Sequence, residues 1–205
     1  MMDSEPLIPD RTCGECTVCC VVLALDHEEI QKDAGIRCPH ANKCCRIYAR
    51  RPTPCREFVC AWRAIPGLDD DWRPDRSGVL LYPDSCEVGG KTVPALTIHL
   101  LHDPETTLAN PSLLAFVAHQ VREDRRLYLG RLGYPGFRHL RAQLNSPQML
   151  AAAHRGTAEV RAILEQAWTF LSNQPHPQHT LSHRGNHVRS ADEVRTSPSD
   201  GISAG

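Results

Sequence analysis

Residues 13–20 read C-G-E-C-T-V-C-C, four thiols in eight positions with the last two adjacent. A second segment, C-P-H-A-N-K-C-C-R-I-Y-A-R-R-P-T-P-C-R-E-F-V-C, fills residues 38–60. Together they hold nine of the ten cysteines in a chain of 205 residues. Adjacent Cα atoms lie about 3.8 Å apart across a trans peptide. A disulfide prefers roughly 4.4–6.8 Å, so Cys19 and Cys20 are poor partners for each other. A C-x-x-C turn instead points two sulfurs at one place, and zinc accepts four such ligands tetrahedrally. Iron–sulfur clusters use the same donors. Cys13, Cys16 and Cys19 match the first three positions of the bacterial ferredoxin spacing, but a fourth cysteine three residues on, followed by proline, is missing. The spacing leaves zinc and iron both open. Successive side chains diverge, so Cys19 and Cys20 reach one ion only under strain. Two centres sharing the segment, or a bridging thiolate, would use both.

Compartment and charge bear on the same question. The first ten residues, M-M-D-S-E-P-L-I-P-D, are acidic and broken by Pro6 and Pro9, unlike the basic start and apolar stretch of a secretory signal. No apolar run approaches the roughly 20 residues of a membrane span. The expected location is the cytoplasm, with no membrane partner. In a reducing compartment dense cysteines read as metal binding rather than as a disulfide framework. The net charge of -1 gives no evident nucleic-acid partner, and leaves room for an unidentified protein partner. Locally the picture is different. Arg37, Lys43, Arg46, Arg50, Arg51 and Arg56 occur without one Asp or Glu among them. Such cations compensate a negative thiolate centre and lower thiol pKa values. The same run also reads as a solvated basic face or an anion site. Pro52 and Pro54 suggest a stiff extended connector that delivers Cys55.

The composition divides the chain into an N-terminal tail (1–10), a cysteine-rich module (11–66), a companion region (67–172) and a polar tail (173–205). The tail is too poor in apolar residues to order itself and is expected to be disordered. The fold class expected is α+β: a small irregular cysteine module followed by a small α+β region. Residues 78–82 and 93–101 fit strands, with Gly89-Gly90 between them as a turn. Asn110-Pro111 and Ser146-Pro147 are helix starts, an N-cap residue followed by proline at the first helical position. The clearest helix runs over about 158–171, where Val160, Ile163, Leu164, Ala167, Trp168 and Leu171 form an apolar stripe.

The cysteine run together with C-R-I-Y-A-R-R-P-T-P-C-R-E-F resembles the CxxCxxCC, or YkgJ-type, family of zinc- or iron-chelating cysteine-cluster proteins, over residues 11–63. The resemblance implies metal held by Cys13, Cys16, Cys19, Cys20, Cys38, Cys45, Cys55 and Cys60. Cys45 is preferred over Cys44 because it directly precedes R-I-Y. Cys44 and Cys86 look supernumerary, Cys86 as a free thiol in a loop. His40 is a further candidate ligand. His99 and His102 read as structural, and the tail histidines 176, 179, 183 and 187 as a polar tail. Asp69-Asp70-Asp71 reads as a solvated turn.

The function expected is a metal-binding protein with zinc, iron or an iron–sulfur cluster in a structural role. One alternative is an iron–sulfur electron-transfer or redox-sensing protein. Another is part of a protein-modifying enzyme, since flagellin lysine methylases are reported to carry a similar cluster. The chain offers no glycine-rich cofactor loop and no evident Ser/His/Asp or Cys/His catalytic set, so an enzyme is the least favoured class.

Overall fold

A computed structural model describes residues 7–182 and 187–188. The cysteine-bearing half is built from short pieces: α1 (Val18–Val22), the antiparallel strands β1 (Leu25–His27) and β2 (Ile30–Lys32), α2 (Thr53–Glu57) and α3 (Pro74–Ser77). Then follow the long hairpin strands β3 (Val79–Val88) and β4 (Lys91–Leu100), α4 (Pro104–Leu108), α5 (Pro111–Arg122), β5 (Arg126–Arg131), β6 (Leu140–Gln143), α6 (Pro147–Arg155) and α7 (Thr157–Ser172). Last, β7 (His187–Val188) pairs in parallel with β2. The main sheet has the order β3-β4-β5-β6, and only β4 and β5 run parallel, joined through α4 and α5. The fold is α+β, as the sequence implies.

Local chemistry sets the boundaries. Gly89 and Gly90 both take positive φ, +58° and +78°, the requirement of the two-residue turn that suits a twisted hairpin. Asn110 Oδ1 accepts from the Ser112 amide at 2.9 Å, and Ser146 Oγ from the Met149 amide at 3.0 Å. Both expected helix starts are therefore capped. The strand expected to end before Pro83 runs on to Val88. Because β3 is an edge strand, a proline there breaks no ladder bond.

Alternate strand residues feed one core. Val79, Leu81, Ile98, Leu100, Leu127 and Leu129 pack with Leu113, Val117, Val121, Met149, Val160 and Leu164 from the helices. The division expected near residue 66 does not separate two cores. Ala61, Trp62 and Leu68 belong to this same cluster, with Cys60 packed against it. The second cluster, under the cysteines, holds just Ile30, Cys38 and Ala41, with Cys20 and Leu25 beside it. The segment placed in the tail also differs in its first part. His176 is buried, the Arg138 amide donates to the Pro177 carbonyl at 2.9 Å, and Ser182 Oγ donates to Asp26 at 2.7 Å. Residues 183–186 and 189–205 of the expected tail lie outside the described residues.

The other face of the sheet is polar. Tyr82 Oη lies 3.1 Å from His99 Nε2, and the rings of His99 and His139 are 4.8 Å apart. Thr97 Oγ1 donates to Asp84, which also pairs with Arg141. His99 lies over Gly130, where a Cβ would stand 2.3 Å from its ring. Since the ring is buried, Gly130→Ala is expected to destabilise by about 1–3 kcal/mol, measured by urea unfolding. Unchanged stability would contradict this packing. Burial pulls the His99 pKa down to about 3, with His139 adding to the fall. The unfolded chain takes up that proton near pH ~6.5. Stability is therefore full above that pH and falls below it, by about 1.4 kcal/mol per pH unit for this one residue. Urea titrations at successive pH values should show a smaller slope in His99→Gln; an identical slope would contradict the assignment.

Candidate metal centre

The backbone gathers the cysteines through short-range turns. Gly14 takes φ +51°, and the Cys16 amide donates to the Cys13 carbonyl at 2.8 Å, closing the C-G-E-C turn. Cys19 and Cys20 follow in α1. The Cys38 amide donates to the Cys20 carbonyl at 2.8 Å, tying the second segment to the first. Cys55 sits in α2, entered through Pro52 as its cap. The expected extended connector is thus half present: Pro52 is extended, but Pro54 lies in the first helical turn, where a missing N–H costs nothing. Arg11 joins the ends of the module. Its guanidinium donates to the carbonyls of Trp62 and Ile65, while Arg63 Nε donates to the Arg11 carbonyl at 2.9 Å. That contact brings Cys13 alongside Cys60.

Two adjoining cavities result. One, of about 60 Å³, is lined by Cys13, Cys16, Cys19, Cys20, Cys38, Cys45 and Cys55, and by Leu25, Ile30 and Phe58. The other, of about 20 Å³, is lined by Cys13, Cys16, Cys19 and Cys60, with Trp62, Arg73, Pro74 and Leu80. All eight expected ligand cysteines line one cavity or the other. Cys44 is exposed and lines neither, nor does His40. Cys86, expected in a loop, is buried in β3 and hydrogen-bonds with Tyr128. All ten cysteines are free thiols.

The thiols sort by which neighbours they feel. Burial pushes Cys60 up to about 12, with Cys16 and Cys13 adding to the rise. Burial pushes Cys55 up to about 11, and its thiol neighbours are Cys20, Cys38 and Cys45. Cys45, raised by burial, feels Cys20 and Cys38. An outer group (Cys13, Cys16, Cys60) and an inner group (Cys20, Cys38, Cys45, Cys55) emerge. Cys19 stands at the junction, where its Sγ–H donates to Cys20. That hydrogen bond raises Cys19 and lowers Cys20 to about 7, helped by Lys32, Arg37 and Arg51. The expected lowering by the basic run therefore reaches Cys20, whereas burial prevails at Cys45 and Cys55. As they stand, the side chains line cavities and do not form a coordination sphere: among the described residues no group of three or more His, Cys, Asp or Glu is arranged to hold a metal ion.

Around the inner group the cations are disposed unequally. Arg37, Lys43, Arg46, Arg50 and Arg56 are exposed, while Arg51 is half-buried with its guanidinium 3.9 Å from the Tyr48 ring centre. The expectations for His99 and for residues 69–71 match the structure: His99 is in the sheet, and Asp69 caps the exposed turn by accepting from the Asp71 amide. His183 falls outside the described residues, as do the side chains of β7. The residue that sequence reasoning missed is Lys32. A lone lysine in a three-residue strand carries no signal of its burial until the strand's neighbours are known.

No helix among the described residues is long and apolar enough to cross a membrane. Comparison with protein-family models, characterised proteins and solved structures returns no match.

Proposed function

We propose that the chain is a metal-binding cysteine-cluster protein in which residues 11–66 hold zinc or iron, in a structural role, at two thiolate centres. The observation that carries this reading is the convergence of eight cysteines on two adjoining cavities: Cys13, Cys16 and Cys19 line both, Cys60 lines the smaller alone, and Cys20, Cys38, Cys45 and Cys55 line the larger alone. Cys19 and Cys20 touch through their side chains where the two groups meet, the place a pair of centres would share. Four thiolates suit tetrahedral zinc and equally an iron–sulfur cluster. The resemblance to the CxxCxxCC family is consistent with either.

A structural role follows from the shortage of other support. The cluster beneath the cysteines has three buried residues, and the elements around it have five residues or fewer. Such a segment gains its fold from bound metal, because ligation free energy is folding free energy. Bound metal also takes the place of protons on thiols that burial otherwise keeps neutral.

The test is purification under anaerobic conditions, followed by a UV–visible spectrum and elemental analysis of one sample. Colourless protein with two zinc ions per chain supports zinc centres. Brown protein with iron and acid-labile sulfide supports iron–sulfur clusters. Metal-free protein that stays folded refutes the proposal.

A further inference from the structure

Lys32 ends β2 with 0% of its surface exposed, and it is the one lysine or arginine in the buried set among the described residues. Lysine is almost never fully buried unless paired. Its Nζ donates to the carbonyl oxygens of Val21 and Asp33, each at 3.1 Å, and to that of Leu23. Three acceptors satisfy the three hydrogens of an ammonium. These carbonyls replace water as dipoles, but they bring no net charge. Among the described residues no carboxylate forms an ion pair with Lys32.

The placement of the ammonium identifies its partner: Val21, one of its acceptors, directly follows Cys20, and Leu23, another, lines the larger cavity, as does Ile30 of the same strand. Burial draws the Lys32 pKa down to about 8, and the groups that oppose this are the thiols of Cys38, Cys20, Cys19 and Cys55. His139, which follows β5, feels the Lys32 charge. That ring is no counter-ion: its Nδ1 accepts the Gly133 N–H at 2.7 Å, and burial, His176 and Lys32 together draw its pKa down to about 4. A desolvated charge acts at short range with little screening, unlike exposed arginines. The outer group is furnished differently. Asp75 adjoins Cys16, and the nearby Arg73 is paired with that same Asp75.

On the reading that these cysteines hold metal, we infer that Lys32 is the built-in counter-charge of the inner centre, placed by β2 to balance the negative charge that Cys20, Cys38 and Cys55 carry as thiolates around a metal ion shared with Cys45. The outer cavity is lined instead by Arg63 and Arg73, neither of them buried, and depends less on Lys32.

The experiment compares wild type, Lys32→Gln and Lys32→Arg, each zinc-loaded as the full chain. Metal stoichiometry is read by native mass spectrometry, and cysteine protection by alkylation and peptide mapping. Gln keeps amide donors for the carbonyls but removes the charge; Arg keeps the charge. In Lys32→Gln the inner centre should lose zinc affinity by about 10–100-fold. Cys20, Cys38, Cys45 and Cys55 should become alkylated while Cys13, Cys16 and Cys60 stay protected, and Arg should restore the inner protection. Equal weakening of both groups, an unchanged inner group, or failure of Arg to restore what Gln loses overturns the inference. Wild type that takes up no zinc and no iron refutes the metal reading itself, a result distinguishable from all of these.

Discussion

Cys19→Ser and Cys20→Ser, one residue apart, are expected to lose different metals. Cys19→Ser should fall from two ions to one and expose Cys13, Cys16 and Cys60 to alkylation. Cys20→Ser should also fall to one, but expose Cys38, Cys45 and Cys55. The reason is positional: Cys19 lines both cavities, the smaller of them with Cys60, whereas Cys20 lines only the larger, with Cys45 and Cys55. A serine oxygen is a poor replacement for a thiolate at a zinc site, which is built from sulfur and nitrogen donors. The check is native mass spectrometry with mapped alkylation. Identical protection patterns in the two variants would mean one shared centre and would contradict the partition. Cys44→Ser, which alters an exposed thiol lining neither cavity, should leave both ions in place.

Removal of metal by a strong chelator should unfold residues 13–57 and spare the sheet and its helices. The two parts rest on different forces. The main core collects more than twenty buried side chains, and each valine, leucine, isoleucine or methionine among them contributes about 1.5–3 kcal/mol when fully buried. The hydrophobic cluster under the cysteines has three. Structural zinc in small peptides is worth about 10–16 kcal/mol at neutral pH, so its loss exceeds what that small cluster can offset. Hydrogen exchange should show protection vanishing across α1, β1, β2 and α2 while α5, α7 and β3–β5 remain protected. Protection unchanged after verified metal removal would show that the module folds without metal. Residues 60–68 should follow the core, because Ala61, Trp62 and Leu68 pack in it.

Much of this was legible in the sequence, and the exceptions have physical causes. The α7 stripe of Val160, Leu164 and Leu171 is buried as its spacing implies. The helices at Asn110 and Ser146 begin where cap and proline coincide. Both signals are local. β5 and β6 escaped because each is short: R-L-Y-L-G-R alternates over one pair of leucines, and its strand identity depends on pairing with β4. Pro83 reads as the end of β3 in the sequence, but a proline that stops a central strand is harmless on an edge. Cys86 reads as a loop residue for the same reason. Motif spacing picked out eight cysteines that line the cavities, but their division into groups depends on Arg11, which draws the N-terminal turn towards Cys60 across some fifty residues. Lys32 was invisible for a related reason, since composition cannot show that all three residues of β2 are buried. The basic run, conspicuous in the sequence, is mostly on the surface.

X-ray absorption at the edge of whichever metal co-purifies tests the central claim most directly, because it counts the donor atoms. The account predicts a shell of sulfur alone, about four per metal at roughly 2.3 Å for zinc, from a sample with two metals per chain or, for iron, its cluster equivalent. A shell dominated by nitrogen or oxygen would place the metal elsewhere than the cysteine cavities and contradict the account.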